Sequence, residues 1–212
     1  MDIGTANLEE IAKALADGLR GIVSAHKPEF VSQLLWLLAE GRPVSTERIA
    51  ETVGISREEA SAILRESSGV ELDDKDAVVG CFGLSLMPTP HHFRLGDHEF
   101  FTWCALDALF LPIVLNQSAR VESSCPVTGA TVQIAVSPDS IEGVEPAEAV
   151  MGIIVPESAE VCCDLRRAFC DKVHFFSSSE AASQWVAEHA GGSILSVENA
   201  YALAHLLLKS LF

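Results

Sequence analysis

The sequence predicts an α+β fold, in which a winged-helix-like helical module over residues 1–80 precedes a mixed α/β domain over 81–212 built of short, mostly antiparallel sheets flanked by helices. Three observations point there. The hydrophobic period changes near residue 80, from recurrence every three to four positions to short alternating runs bounded by Gly and Pro. Beyond that point strand and helix patterns mix without the regular alternation of a parallel, doubly wound sheet. Finally, 212 residues with a hydrophobic fraction of 49% can build a full core, which excludes a disordered chain.

Between Ala6 and about Ala25, Leu8, Ile11, Leu15, Leu19 and Ile22 recur at helical spacing, with Asn7 or Thr5 available as a cap. Pro28 suits the first turn of a second helix, whose stripe of Phe30, Leu34, Leu35, Leu37 and Leu38 ends at Gly41. Two short helices follow, opened by Ser45 and Ser56 with Glu close behind and joined by Val53-Gly54-Ile55. With strands expected at 70–72 and 78–84 around D-D-K-D, this pair resembles a winged helix. Such a module either binds DNA or serves as scaffold, and charge favours scaffold. Residues 1–80 hold 8 Lys or Arg against 15 Asp or Glu and the whole chain carries −16, so nucleic acid is not an expected partner.

After Gly80, C-F-G-L-S-L and H-H-F-R-L read as strands, the second turning into a hairpin at Gly96-Asp97. His91 and His92 are either metal ligands or solvated turn residues. The longest apolar run, Phe100 to Leu115, is expected to be helical from about Phe101; interrupted by Asp107 and Pro112 and too short for a membrane span, it belongs to the core. Next, A-R-V-E-S-S-C and T-V-Q-I-A-V-S form a hairpin around C-P-V-T-G. Cys125 lies at its knuckle, where structural zinc would need distant partners. Short extended pieces through M-G-I-I-V-P lead to a helix from Glu157 to Phe169 carrying Cys162 and Cys163. A buried strand D-K-V-H-F-F, a capped helix from Ser177, a strand G-G-S-I-L-S-V and a last helix from Val197 to Leu211 complete the chain. The opening M-D-I-G-T-A-N-L-E-E has neither the basic nor the apolar region of an export signal, so a cytoplasmic location and no membrane partner are expected. In that reducing compartment six cysteines are thiols or metal ligands rather than disulfides.

Within the apolar run, Cys104 and Asp107 are three apart, which on a helix places a soft nucleophile above a proton carrier on one face. The first turn of a helix favours a thiolate, whereas a nearby carboxylate opposes it. In apolar surroundings two acids this close titrate as a unit. The plainer alternative is a buried Cys filling space while Asp107 accepts local hydrogen bonds.

W-C-A-L-D at 103–107, A-R-V-x-S-x-C-x-x-T-G at 119–129, V-S-P near 136, V-E-P at 144 and F-C-x-x-V-H-F-F at 169–176 together resemble the organomercurial, or alkylmercury, lyases. The likeness begins near Phe30, takes in G-R-P-V-S at 41–45 and reaches the C-terminus. It implies cleavage of a carbon–mercury bond by Cys104, Asp107 and Cys170, which would also hold mercury as substrate and product. No organic cofactor is implied; small thiols would release the product Hg(II), with mercuric reductase a further acceptor. One position departs from the pattern: Asp171 stands where family members carry a second Cys after the catalytic one. Cys125 matches a cysteine of structural character. The chemistry agrees with the implied trio, because soft Hg(II) prefers thiolates and an adjacent acid can hand the carbon its proton. Trp103, Phe101 and Phe110 would exclude water around the site. Two other readings compete: a metal-responsive winged-helix regulator using Cys125, Cys170 and Cys162 or Cys163, and a structural zinc protein.

Overall fold

The computed structural model describes residues 5–24, 28–155 and 165–211. Helices α1 (Thr5–Ser24) and α2 (Pro28–Leu38) bury the expected stripes, Leu8, Ile11 and Leu15 on the first and Phe30, Leu34, Leu35 and Leu38 on the second. Helices α3 (Thr46–Val53) and α4 (Arg57–Glu66) begin where their serines indicate. The Ser45 hydroxyl accepts from the Arg48 N–H and that of Ser56 from the Glu59 N–H, each cap contributing about 1 kcal/mol. Gly54, at φ 76°, ends α3 in the left-handed conformation, so the chain can turn sharply into α4.

Strands β1 (Val70–Leu72), β2 (Val78–Cys81), β3 (Leu84–Ser85), β4 (His91–Leu95), β5 (His98–Thr102), β6 (Ala119–Ser124), β7 (Thr131–Val136) and β8 (Ile141–Glu145) form one sheet in the order β1-β2-β3-β5-β4-β6-β7-β8. A second sheet, β10-β9-β11, is built from β9 (Val150–Ile154), β10 (Val173–Phe176) and β11 (Gly192–Ser196). Every strand pair in both sheets is antiparallel. Helix α5 (Ala105–Leu115) runs against the sheet, followed in the chain by α6 (Leu165–Ala168), α7 (Ser179–Glu188) and α8 (Val197–Leu211). The wing strands β1 and β2 continue directly into the main sheet. Leu34, Leu38 and Val44 accordingly share one buried core with Leu84, Phe93 and Leu109. Each such large apolar side chain contributes roughly 1.5–3 kcal/mol on burial. No helix among the described residues is long and apolar enough to cross a membrane.

The structure corrects three boundaries. The helix expected from Phe101 starts at Ala105, because Phe100 and Thr102 face the core as alternate residues of β5, and Thr102 pairs with His91 of β4 and Leu84 of β3. The strand expected over 78–84 breaks at Phe82 and Gly83, both at positive φ (45° and 97°). The strand expected from Asp171 begins at Val173, since Cys170–Lys172 forms a 3-10 turn. Of the helix expected over 157–169, only α6 lies within the described residues; Cys162 and Cys163 fall outside them.

Candidate active site

The β5–α5 junction positions two of the three reactive groups. Thr102 ends β5, and its hydroxyl donates to the Cys104 carbonyl at 2.9 Å; the Trp103 N–H donates to the Gly83 carbonyl at 2.9 Å. Held between these bonds, Cys104 adopts extended backbone (φ −147°, ψ 173°) and becomes the N-cap of α5. Asp107 is then the third residue of the helix. Its Oδ2 reaches back to accept from the Cys104 N–H at 3.0 Å, satisfying a donor that the helix start leaves unpaired. The sequence spacing therefore joins the two residues as expected, through a cap rather than through stacked turns.

Cys170 arrives from far along the chain. The 3-10 turn Cys170–Lys172 leads into β10, whose antiparallel pairing with β9 pins Val173 opposite Ile153. Upstream, Arg166 of α6 pairs with Glu71 of β1, and Glu71 also accepts from the Ser85 hydroxyl at 3.1 Å. Those ties deliver the Cys170 Sγ to 3.9 Å from Asp107 Oδ2. The ligand atoms of Cys104, Asp107 and Cys170 all lie within 4.8 Å of one another, the one such group of three among the described residues.

Both thiols are buried, and the exposure Asp107 retains opens onto an apolar cavity of about 90 Å³. Burial raises the Asp107 carboxyl to about 6 against the hydrogen bonds from Cys104 and Cys170. Burial likewise pushes the Cys104 thiol well above its ordinary value, helped by Cys170 and the Asp107 charge. For Cys170 the hydrogen bond with Cys104 pulls downward, but burial and the charges of Asp107 and Asp171 outweigh it and the thiol is raised. Both thiols thus keep their protons at neutral pH. A soft metal that binds thiolate can displace them.

Trp103 and Phe110 line the cavity as expected, but Phe101 does not: in β5 it packs on His92 instead, with ring centroids 5.4 Å apart. Residues that the sequence did not assign to the site complete the walls, among them Leu19 of α1, Val31 and Leu35 of α2, and Leu207 of α8. Their helical stripes announced burial without saying against what. Among the described residues His91 and His92 do not join into a metal site: His91 is buried with Nδ1 2.8 Å from Ser123 Oγ, and His92 pairs with Glu99. Cys125 packs in a separate small cluster with Val150, Phe176 and Ala181. A larger open groove of about 480 Å³ on the outer face of the main sheet contains none of the three reactive groups.

The alkylmercury lyase family model matches residues 84–209, and the model of the helix-turn-helix domain of alkylmercury lyase matches residues 10–83. The alkylmercury lyase of Bacillus cereus is 43% identical over 174 residues, covering 82% of this chain and 78% of that one. That of Pseudomonas putida is 35% identical over 206 residues, covering 96% and 92%. The crystal structure of the mercury-bound form of MerB2 shares the fold, with a TM-score of 0.79 over 98% of this chain and 100% of that one at 23% identity. On the strength of both family models and of these relatives, the chain belongs to the alkylmercury lyase family of enzymes.

Proposed function

We propose that this enzyme cleaves the carbon–mercury bond of organomercurials by protonolysis, with Cys104 and Cys170 as mercury ligands and Asp107 as proton carrier. The observation that carries the reading is the Asp107 carboxyl within reach of two buried thiols at the edge of an apolar cavity. In the first step the Cys104 sulfur bonds to mercury, the original counter-ligand departs, and the thiol proton passes to Asp107. Cys170 then adds as a second sulfur ligand and its proton replaces the first. With two sulfurs donating charge, the carbon–mercury bond breaks with its electron pair on carbon, and Asp107 delivers a proton there. Hydrocarbon leaves, and Hg(II) remains as a bis-thiolate until small thiols remove it. Two protons come from the two thiols; one ends on the hydrocarbon and one accompanies the departed counter-ligand.

A carboxyl titrating near 6 suits this exchange, because at neutral pH it neither binds its proton permanently nor releases it at too great a cost. No organic cofactor enters the proposed cycle. Mercury here is cargo, and the role of the protein is mercury resistance through loss of the organic group. The test is headspace gas chromatography of the purified protein with methylmercury or phenylmercury and excess thiol. Methane or benzene is the expected product; mercurial binding with no hydrocarbon would reduce the site to a mercury trap.

A further inference from the structure

In the proposed reaction the Asp107 carboxyl must stay between two sulfurs, yet the hydrogen bonds it accepts from the Cys104 N–H and Cys170 Sγ both end on one oxygen, Oδ2. The β2–β3 turn lies against the rest of the side chain. A Cβ placed on Gly83 would lie 2.5 Å from Asp107 Cγ, 2.6 Å from Oδ1 and 2.8 Å from its Cβ, far inside van der Waals contact. The turn is fixed at both ends: the Phe82 N–H donates to the Gly69 carbonyl at 2.9 Å, and the Gly83 carbonyl accepts from Trp103. Phe82 itself sits at φ 45°, a conformation that bulky side chains rarely adopt and that persists only where surrounding contacts enforce it. Both Phe82 and Gly83 line the cavity.

We infer that Gly83 is a positioning residue for the proton carrier, its bare Cα forming the wall that keeps the Asp107 carboxyl between Cys104 and Cys170. The geometry is independent of the lyase reading, while its effect on turnover rests on that reading. Other glycines supply the contrast. Gly96, at φ 58°, also needs the left-handed conformation, but a Cβ there would meet nothing within 4 Å. An alanine at 96 carries the backbone strain alone, whereas one at 83 carries strain and collides with the reactive acid.

The experiment is a double-mutant cycle read by melting temperature, with turnover measured alongside. Gly83→Ala should lower the melting temperature more than Gly96→Ala does, and the excess should shrink in an Asp107→Ala background, where the two nearest atoms are gone. If Gly83→Ala alone does not fold, the double variant with Asp107→Ala should. Folded Gly83→Ala should still capture a mercurial, visible as a mass adduct, but release hydrocarbon roughly 10²-fold more slowly, the usual penalty for misplacing a reacting group by about an ångström. In an Asp107→Asn background it should slow release no further. An equal stability loss with and without the Asp107 carboxyl, failure of both single and double variants to fold, or release at the parent rate would overturn the assignment. A parent protein that released no hydrocarbon would sink the lyase reading and leave the melting-temperature coupling unaffected.

Discussion

Cys104 and Cys125 both lie buried at a sharp turn just beyond the end of a strand, and their surroundings drive them in opposite directions. Cys104 sits among apolar walls beside a second thiol and a carboxyl, all of which make its thiolate costly. At Cys125 burial also works against ionisation, but the Thr128 hydroxyl and the N–H groups of Ser177, Thr128 and Val127 overcome it and bring the thiol down to about 7. The more acidic thiol is therefore not the one at the cavity. A thiol meant for a soft metal need not be a free thiolate in advance: mercury supplies the driving force for deprotonation when it binds, provided a base lies within reach. In the proposed cycle Asp107 is that base for Cys104, whereas Cys125 belongs to no such group among the described residues.

The sharpest way to break this comparison is by serine substitution. Cys104→Ser and Cys170→Ser should each remove nearly all hydrocarbon release, since a hydroxyl is a poor ligand for a soft metal and the proposed cycle needs both sulfurs together. Cys125→Ser should release hydrocarbon at close to the parent rate per folded molecule. Headspace chromatography on all three decides it; loss of turnover in well-folded Cys125→Ser would place that thiol in the reaction.

Next in size is Asp107→Asn, which keeps the volume and the ability to accept from the Cys104 N–H but cannot exchange a proton. Capture through sulfur should survive, visible as an intact mass adduct, while release falls by roughly 10² to 10⁴. Equal losses of capture and release would mean that Asp107 organises the site rather than moving the proton.

How far these residues were legible in the sequence depended on the range of the contact that defines them. The capping serines, the Gly96-Asp97 hairpin and the β6–β7 hairpin are local and were read where they occur. The start of α5 was not, because the apolar run crosses from a buried strand into a helix buried on nearly all sides, and hydrophobicity does not mark the join. One local signal was present: Asp107 three residues after Cys104 occupies the acidic position of a capping box, which places the helix start at Ala105. Cys170 could be grouped with Cys104 only through the family resemblance, since strand pairing of β10 with β9 and the Arg166–Glu71 pair bring it there. Gly83 carried only the general signal of a glycine inside a strand pattern, a break or close approach, and not what it meets, which is a side chain on another element. On the helix-turn-helix, the basic groups Arg48, Arg57 and Arg65 are paired with Glu40, Glu47 and Asp76. With those charges answered within the module, no gel shift with duplex DNA is expected even at low salt; a clear shift would reopen the regulator reading.

The smallest predicted effects are two opposing slopes of stability against pH. Asp107 is raised from 3.8 to about 6, so the folded state binds its proton more tightly than the unfolded one, and the stability this gives is present at low pH and lost as pH rises through about 6. Asp107→Asn should therefore melt at about the parent temperature near pH 4 and gain on it up to about pH 6, with a constant lead above. Discounted for the exposure of the carboxyl to the cavity, that lead is on the order of 1 kcal/mol, or roughly 2–4 °C in a chain of this size. Cys125 is lowered from 9.0 to about 7, so its contribution has the other sign, complete above about pH 9 and lost as pH falls through about 7. Cys125→Ser should accordingly fall furthest below the parent at alkaline pH, with the gap narrowing as pH drops through 7. Melting temperatures across pH 4 to 9.5 measure both slopes in one series. Parallel slopes for the two variants would show that the hydrogen bonds around Cys125 do not favour its thiolate, and that the two turns differ only in what they face.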